Sequence, residues 1–185
     1  MRFTAVTCFV AAVLAMTAAP AQAQWKSYVS RDLQFTFIVP GEVKVEKGVY
    51  KGERTGDHPA IIFRSTADNI EYTATVIDMS APNANPASLL EEAVVTFQGR
   101  NKVLMDNYGR IGGLYGRKGT VELPNNGGRS MASFYFQNGK LYRMQATILP
   151  ANDDPGTPDA ARFVDSEVLN LNNVEPGAIE LKLPN

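Results

Sequence analysis

The sequence predicts an α+β domain, a twisted antiparallel sheet flanked by helices. Three observations carry this. Strand-like alternation dominates before Ser80 and returns between Met131 and Ile148. Two helical patterns, each opened by a proline, divide and close those strand groups. Strands and helices do not alternate strictly, which disfavours a doubly wound parallel sheet.

The first strand is Gln34 to Val39, with Phe35, Phe37 and Val39 on one face and Pro40-Gly41 ending it. Glu42 to Tyr50 alternates again, and Ala60-Ile61-Ile62-Phe63 is a short apolar run. In Ile70 to Met79, Ile70, Tyr72, Ala74 and Val76 share one side, with Glu71, Thr73 and Thr75 opposite. That pattern predicts a strand buried on one face.

Asn85 is a cap for the first helix, with Pro86 at the first helical position, where a missing N–H costs nothing. Leu90, Ala93, Val94 and Phe97 fall on one face, and Gly99 ends the run. Glu91 and Glu92 read as negative charge near the helix start, favoured by the helix dipole. Thr157 caps the second helix, and Ala160, Phe163, Val164 and Val168 form its stripe.

Between the helices, Met131 to Ile148 reads as a hairpin around Asn138-Gly139. A two-residue loop pairs Gln137 with Lys140 and sets Phe134 opposite Arg143. A three-residue loop pairs Phe136 with Lys140. It gathers Ala132, Phe134, Phe136, Tyr142, Met144, Ala146 and Ile148 on one face. A one-residue slip would turn the whole apolar set to water, so the three-residue loop is expected, a type I turn with Gly139 in the left-handed position and a bulge.

Length, charge and composition bound the function. The 185 residues fit one domain after processing, and the net charge of −1 favours neither a polyanion nor a membrane surface. Residues 1–23 read as a secretory signal peptide: Arg2, a charge-free apolar stretch from Phe3 to Ala19, Pro20, then Ala21-Gln22-Ala23 as cleavage site. The stretch is shorter than the roughly 20 residues of a spanning helix. Residues 24–185 then form a single domain, periplasmic or secreted, with no membrane span. Cleavage removes Cys8, the only cysteine, so the mature chain makes no disulfide and holds itself together by its core.

The motifs resemble the PsbP-like α/β/α sandwich, and in particular small exported bacterial proteins of that group. The resemblance rests on Trp25 and Tyr28 leading to Leu33-Gln34-Phe35-Thr36-Phe37-Ile38-Val39-Pro40-Gly41, the Tyr72 strand and the Leu89-Leu90 helix. It continues through Ile111-Gly112-Gly113-Leu114-Tyr115-Gly116, Asn138-Gly139-Lys140-Leu141-Tyr142 and Ala161-Arg162-Phe163-Val164-Asp165-Ser166. What it implies is a binding or accessory domain. Plant members support the oxygen-evolving complex of photosystem II, and a nuclear relative of similar fold binds the Ran GTPase. Neither role transfers by fold alone.

Chemistry-bearing motifs are few. His58, the lone imidazole, stands in Gly56-Asp57-His58-Pro59, which reads as an exposed turn, and no G-x-S-x-G elbow accompanies it. Asp153, Asp154 and Asp159 lack the alternating ligands and closing Glu of a calcium loop. No catalytic residue, metal site or cofactor is expected. The most distinctive segment is Tyr108 to Lys118, YGRIGGLYGRK, a glycine-bearing hairpin. It offers Tyr108, Arg110, Tyr115, Arg117 and Lys118 as binding residues for a protein partner or a small anionic ligand. Aromatic and basic residues together also suit single-stranded nucleic acid, but the net charge opposes it, and none is expected. With Val121 facing the core, parity places Tyr115 and Arg117 on the same side, so Arg117 is partly covered and needs an anionic partner. The expected function is a non-catalytic accessory or binding domain. The alternatives are an envelope hydrolase with a carboxylate, Ser or Tyr site, and a structural envelope protein.

Overall fold

The computed structural model describes residues 24–80, 85–125, 127–149 and 157–184. The signal segment, Asp153 and Asp154 lie outside them. Ten strands and two helices follow the chain as β1 (Trp25–Ser30), β2 (Phe35–Pro40), β3 (Lys44–Gly52), β4 (Gly56–Ala67), β5 (Ile70–Asp78), α1 (Pro86–Gln98), β6 (Lys102–Ile111), β7 (Leu114–Glu122), β8 (Arg129–Gln137), β9 (Lys140–Ile148), α2 (Pro158–Val164) and β10 (Ile179–Glu180). The main sheet has seven antiparallel strands in the order β3-β4-β5-β9-β8-β7-β6. A smaller sheet, β10-β1-β2, joins β10 to β1 in parallel.

The main sheet is covered on both faces. On one face Phe35 and Phe37 of β2 and Phe163 of α2 pack on Phe63, Tyr72, Tyr142, Met144 and Ala146. On the other, Leu89, Ala93 and Val94 of α1 pack on Ile77, Ala132, Phe134 and Leu141. Phe35 and Phe37 stack 5.4 Å apart, and the Phe163 ring meets Tyr72 edge-on at 5.1 Å.

This double cover corrects two expectations. In β5, Thr75 and Ile77 are buried as well as Ile70, Tyr72, Ala74 and Val76, because α1 lies over them. In the β8–β9 hairpin the loop has two residues, with Gln137 paired to Lys140 and Phe134 to Arg143. Ala132 and Phe134 face α1, while Tyr142, Met144, Ala146 and Ile148 face α2. Asn138 and Gly139 both have positive φ, 52° and 75°, the geometry of a type I′ turn that follows the sheet's twist.

The helix starts stand where the sequence places them. The Asn85 and Thr157 side chains accept the N–H of Ala87 and Asp159, each with proline next in line. α2 ends at Val164, however, so Val168 leaves the stripe. It bridges Thr36 with two backbone hydrogen bonds and is partly exposed. Glu92 is not a solvated first-turn acid either. It is 4% exposed, and its Oε1 accepts the N–H groups of Arg54 at 2.7 Å and Thr55 at 3.1 Å. His58 lies inside β4, opposite Tyr50, and is half-buried, because the β3–β4 hairpin turns earlier, at residues 53–55.

Candidate functional site

Two places on this frame gather chemistry. The first is the β6–β7 hairpin, which turns at Gly112 and Gly113 and holds the sequence-predicted binding residues. Its register pairs Tyr108 with Arg117 and Arg110 with Tyr115, so these four share the α1 face of the sheet. The Arg117 guanidinium sits 5.0 Å from the Tyr108 ring centre and Arg110 sits 5.3 Å from that of Tyr115. Lys118 points to the opposite face, where its Nζ lies 2.6 Å from Asp165 Oδ1. A Cβ at Gly116 would run into the Phe134 carbonyl and the Tyr135 ring, so this position lets β7 lie close against β8.

Arg117 is covered on the side that strand parity assigns it. Its side chain is 15% exposed, and its anionic partners are internal: Asp106 and, at 3.0 Å, Glu91 of α1. Asp106 feels burial pushing its carboxyl up, but Arg117 and Gln98 outweigh it and leave it below the usual range. The hairpin's central cation is therefore neutralised by its own fold. What it shows to solvent is Tyr108, 82% exposed, Tyr115 and Arg110.

The second place is a cleft of about 510 Å³ on the α2 face, at the end of the sheet where β1–β2 turns over it. Leu33 forms one wall, held there because the Tyr142 hydroxyl donates to its carbonyl at 2.9 Å. The floor comes from Ile61 and Pro59 of β4 and Val76 of β5. Val49 of β3 stands at the mouth with 60% exposure, and Lys47, Asp57, Asp78 and Lys140 add charge. Asp78 and Lys140 are directly paired across β5 and β9. The Ser80 hydroxyl and N–H hold Asp78 below the ordinary carboxylate range, so it stays charged. Sequence reasoning missed this cleft. Alternation in β3, β4 and β5 places its residues on one face, but only the β1–β2 turn closes the wall.

Among the described residues no three His, Cys, Asp or Glu side chains come together to hold a metal ion. No described helix is long and apolar enough to cross a membrane.

No protein-family model matches the chain, and no curated protein does. Among solved structures, the solution structure of cyanobacterial PsbP (CyanoP) from Synechocystis sp. PCC 6803 is similar, with a TM-score of 0.51 and 12% identity over 84% of this chain and 98% of that one. The fold is PsbP-like. At 12% identity the likeness speaks to the fold and to nothing finer. Within the PsbP-like frame, the cleft and the aromatic hairpin lie on opposite faces of one sheet.

Proposed function

We propose that this chain is an exported, non-catalytic binding domain that takes a small molecule with an apolar body and a polar end into the cleft on the α2 face. The observation that carries the reading is the cleft itself. Its volume of about 510 Å³ falls within the roughly 300–1,000 Å³ of small-ligand sites, and its floor is aliphatic. The lysines and aspartates at its edge supply the few polar contacts that orient a ligand. Export rests on residues 1–23, and amino-terminal sequencing of the protein from a cell-envelope fraction should begin at Gln24.

Two carboxylates, Asp57 and Asp78, share the cleft, which is the observation that favours an envelope hydrolase as the second reading. A general acid needs a carboxyl pushed up, and Ser80 pulls Asp78 down. Binding is therefore the better account.

The test is a fluorescence titration with N-phenylnaphthylamine, an uncharged apolar probe. The wild-type protein should bind it saturably near one equivalent. Val49→Glu, at an exposed position in the cleft mouth, should weaken binding about tenfold, about 1.4 kcal/mol. Val103→Glu, on the far edge strand, should leave it unchanged. Equal binding by all three proteins would remove the cleft as the site.

A further inference from the structure

We propose that Arg143 and the hydroxyl groups around it form a binding site for a small oxyanion, a carboxylate or phosphate group, on the sheet face opposite the cleft. α1 covers only half of that face. Along β5, Ile77 and Thr75 are buried, Thr73 is half-buried and Glu71 is exposed. Along β9, Leu141 is buried, while Arg143, Gln145 and Thr147 are half-buried. Arg143 thus stands at the step where the helix ends and the open sheet begins.

Its guanidinium has no hydrogen bond or ion pair among the described residues, and its Nε is buried without a partner. Arg143 is directly opposite Thr75, whose Oγ1 is also buried and unpartnered. Tyr50 is near enough for its phenol and the guanidinium to perturb each other, and its Oη stands beside the Thr96 hydroxyl. An arginine nitrogen and a hydroxyl, both buried without partners on one face, go against the general rule that such groups are satisfied.

The chemistry of the set favours an acceptor. The guanidinium can only donate, the hydroxyls can turn to donate, and Arg64, another cation, also acts on Arg143. Two of the nearby carboxylates are committed elsewhere, Glu46 to Arg64 at 2.6 Å and Glu92 to the N–H groups of residues 54 and 55, while Glu53 is felt by Tyr50. A planar donor fork beside hydroxyl donors, short of one negative charge, suits a carboxylate or phosphate oxygen pair.

The test is thermal unfolding of the protein at constant ionic strength, with inorganic phosphate or succinate replacing chloride. Wild-type Tm should rise saturably with at least one of them, and which one responds names the anion. Arg143→Met should abolish the rise and, in chloride alone, should unfold at a higher temperature than wild type, because it removes an unpaired half-buried charge. Tyr50→Phe should raise the apparent dissociation constant about tenfold. Val103→Glu, on the far edge strand, should respond like wild type. The proposal is overturned if wild-type Tm does not respond to either anion, or if Tyr50→Phe and Arg143→Met respond as wild type does.

Discussion

The Ser133 hydroxyl on β8 lies 3.2 Å from Glu167 Oε2, beneath α2. The same hydroxyl lies 3.1 Å from the Val164 carbonyl, and with one proton it serves one acceptor or the other. Glu167 is fully buried and its other oxygen has no partner among the described residues. Burial pushes its carboxyl up to about 8, against the pull of Ser133 and Lys118. Tyr135, Tyr142 and Asp165 complete its titratable surroundings.

The sign of the resulting pH dependence is fixed. A carboxyl raised in the folded state favours folding while both states are protonated, and loses that advantage as pH climbs from the unfolded value near ~4.3 to the folded value of about 8. The loss is at most on the order of 5 kcal/mol. Glu167→Gln should therefore be more stable than wild type at about pH 8.5 and little different at about pH 4. Urea midpoints at the two pH values measure this. A constant difference across that range would show that Glu167 does not titrate as described.

Glu92 works with the opposite sign. Burial pushes its carboxyl up, but the Arg54 and Thr55 N–H groups and the Thr55 hydroxyl outweigh it and hold it below the usual range. Its stabilising effect is present above the unfolded pKa and fades as pH falls through the folded one. Glu92→Ala leaves two N–H groups of the β3–β4 turn without their acceptor and should cost about 2–3 kcal/mol at neutral pH. Chemical denaturation reads the loss, and the gap from wild type should narrow in acid.

Gly139→Ala tests the type I′ turn. The residue has φ 75°, and an added Cβ would sit 2.6 Å from Ser80 Oγ. The expected cost is about 1–2 kcal/mol, from a left-handed backbone and a crowded neighbour. NMR contacts between Phe134 and Arg143 should confirm the two-residue register, and contacts pairing Phe136 with Lys140 would overturn it.

Arg117→Ala removes the partner of Asp106 and Glu91 and uncovers the Tyr108 ring. Stability should fall by about 1 kcal/mol, with N-phenylnaphthylamine affinity unchanged, because the hairpin and the cleft lie on different faces. A large loss of probe binding would tie the hairpin to the ligand site.

What was legible in the sequence was local. Asn85-Pro86 and Thr157-Pro158 mark helix starts through their own side chains, and Phe35, Phe37 and Val39 mark a strand by parity. Arg117 could be placed because β7 carries no bulge between Tyr115 and Val121. The rest depended on what packs over the sheet. Phe134 and Tyr135 are adjacent and both buried, so the parity argument for the β8–β9 loop, which assumed one covered face, chose the wrong register. The cleft and the Arg143 cluster each combine residues from several strands, and no spacing along the chain announces either.

The most direct test of the binding account is an NMR titration of the isotope-labelled protein with N-phenylnaphthylamine. The account predicts saturable shifts at the amides of Gly48, Val49, Ile61, Val76 and Lys140, which surround the cleft, with Tyr108, Tyr115 and Arg143 unmoved. Shifts centred on the β6–β7 hairpin or on the α1 face, with the cleft amides unchanged, would contradict it.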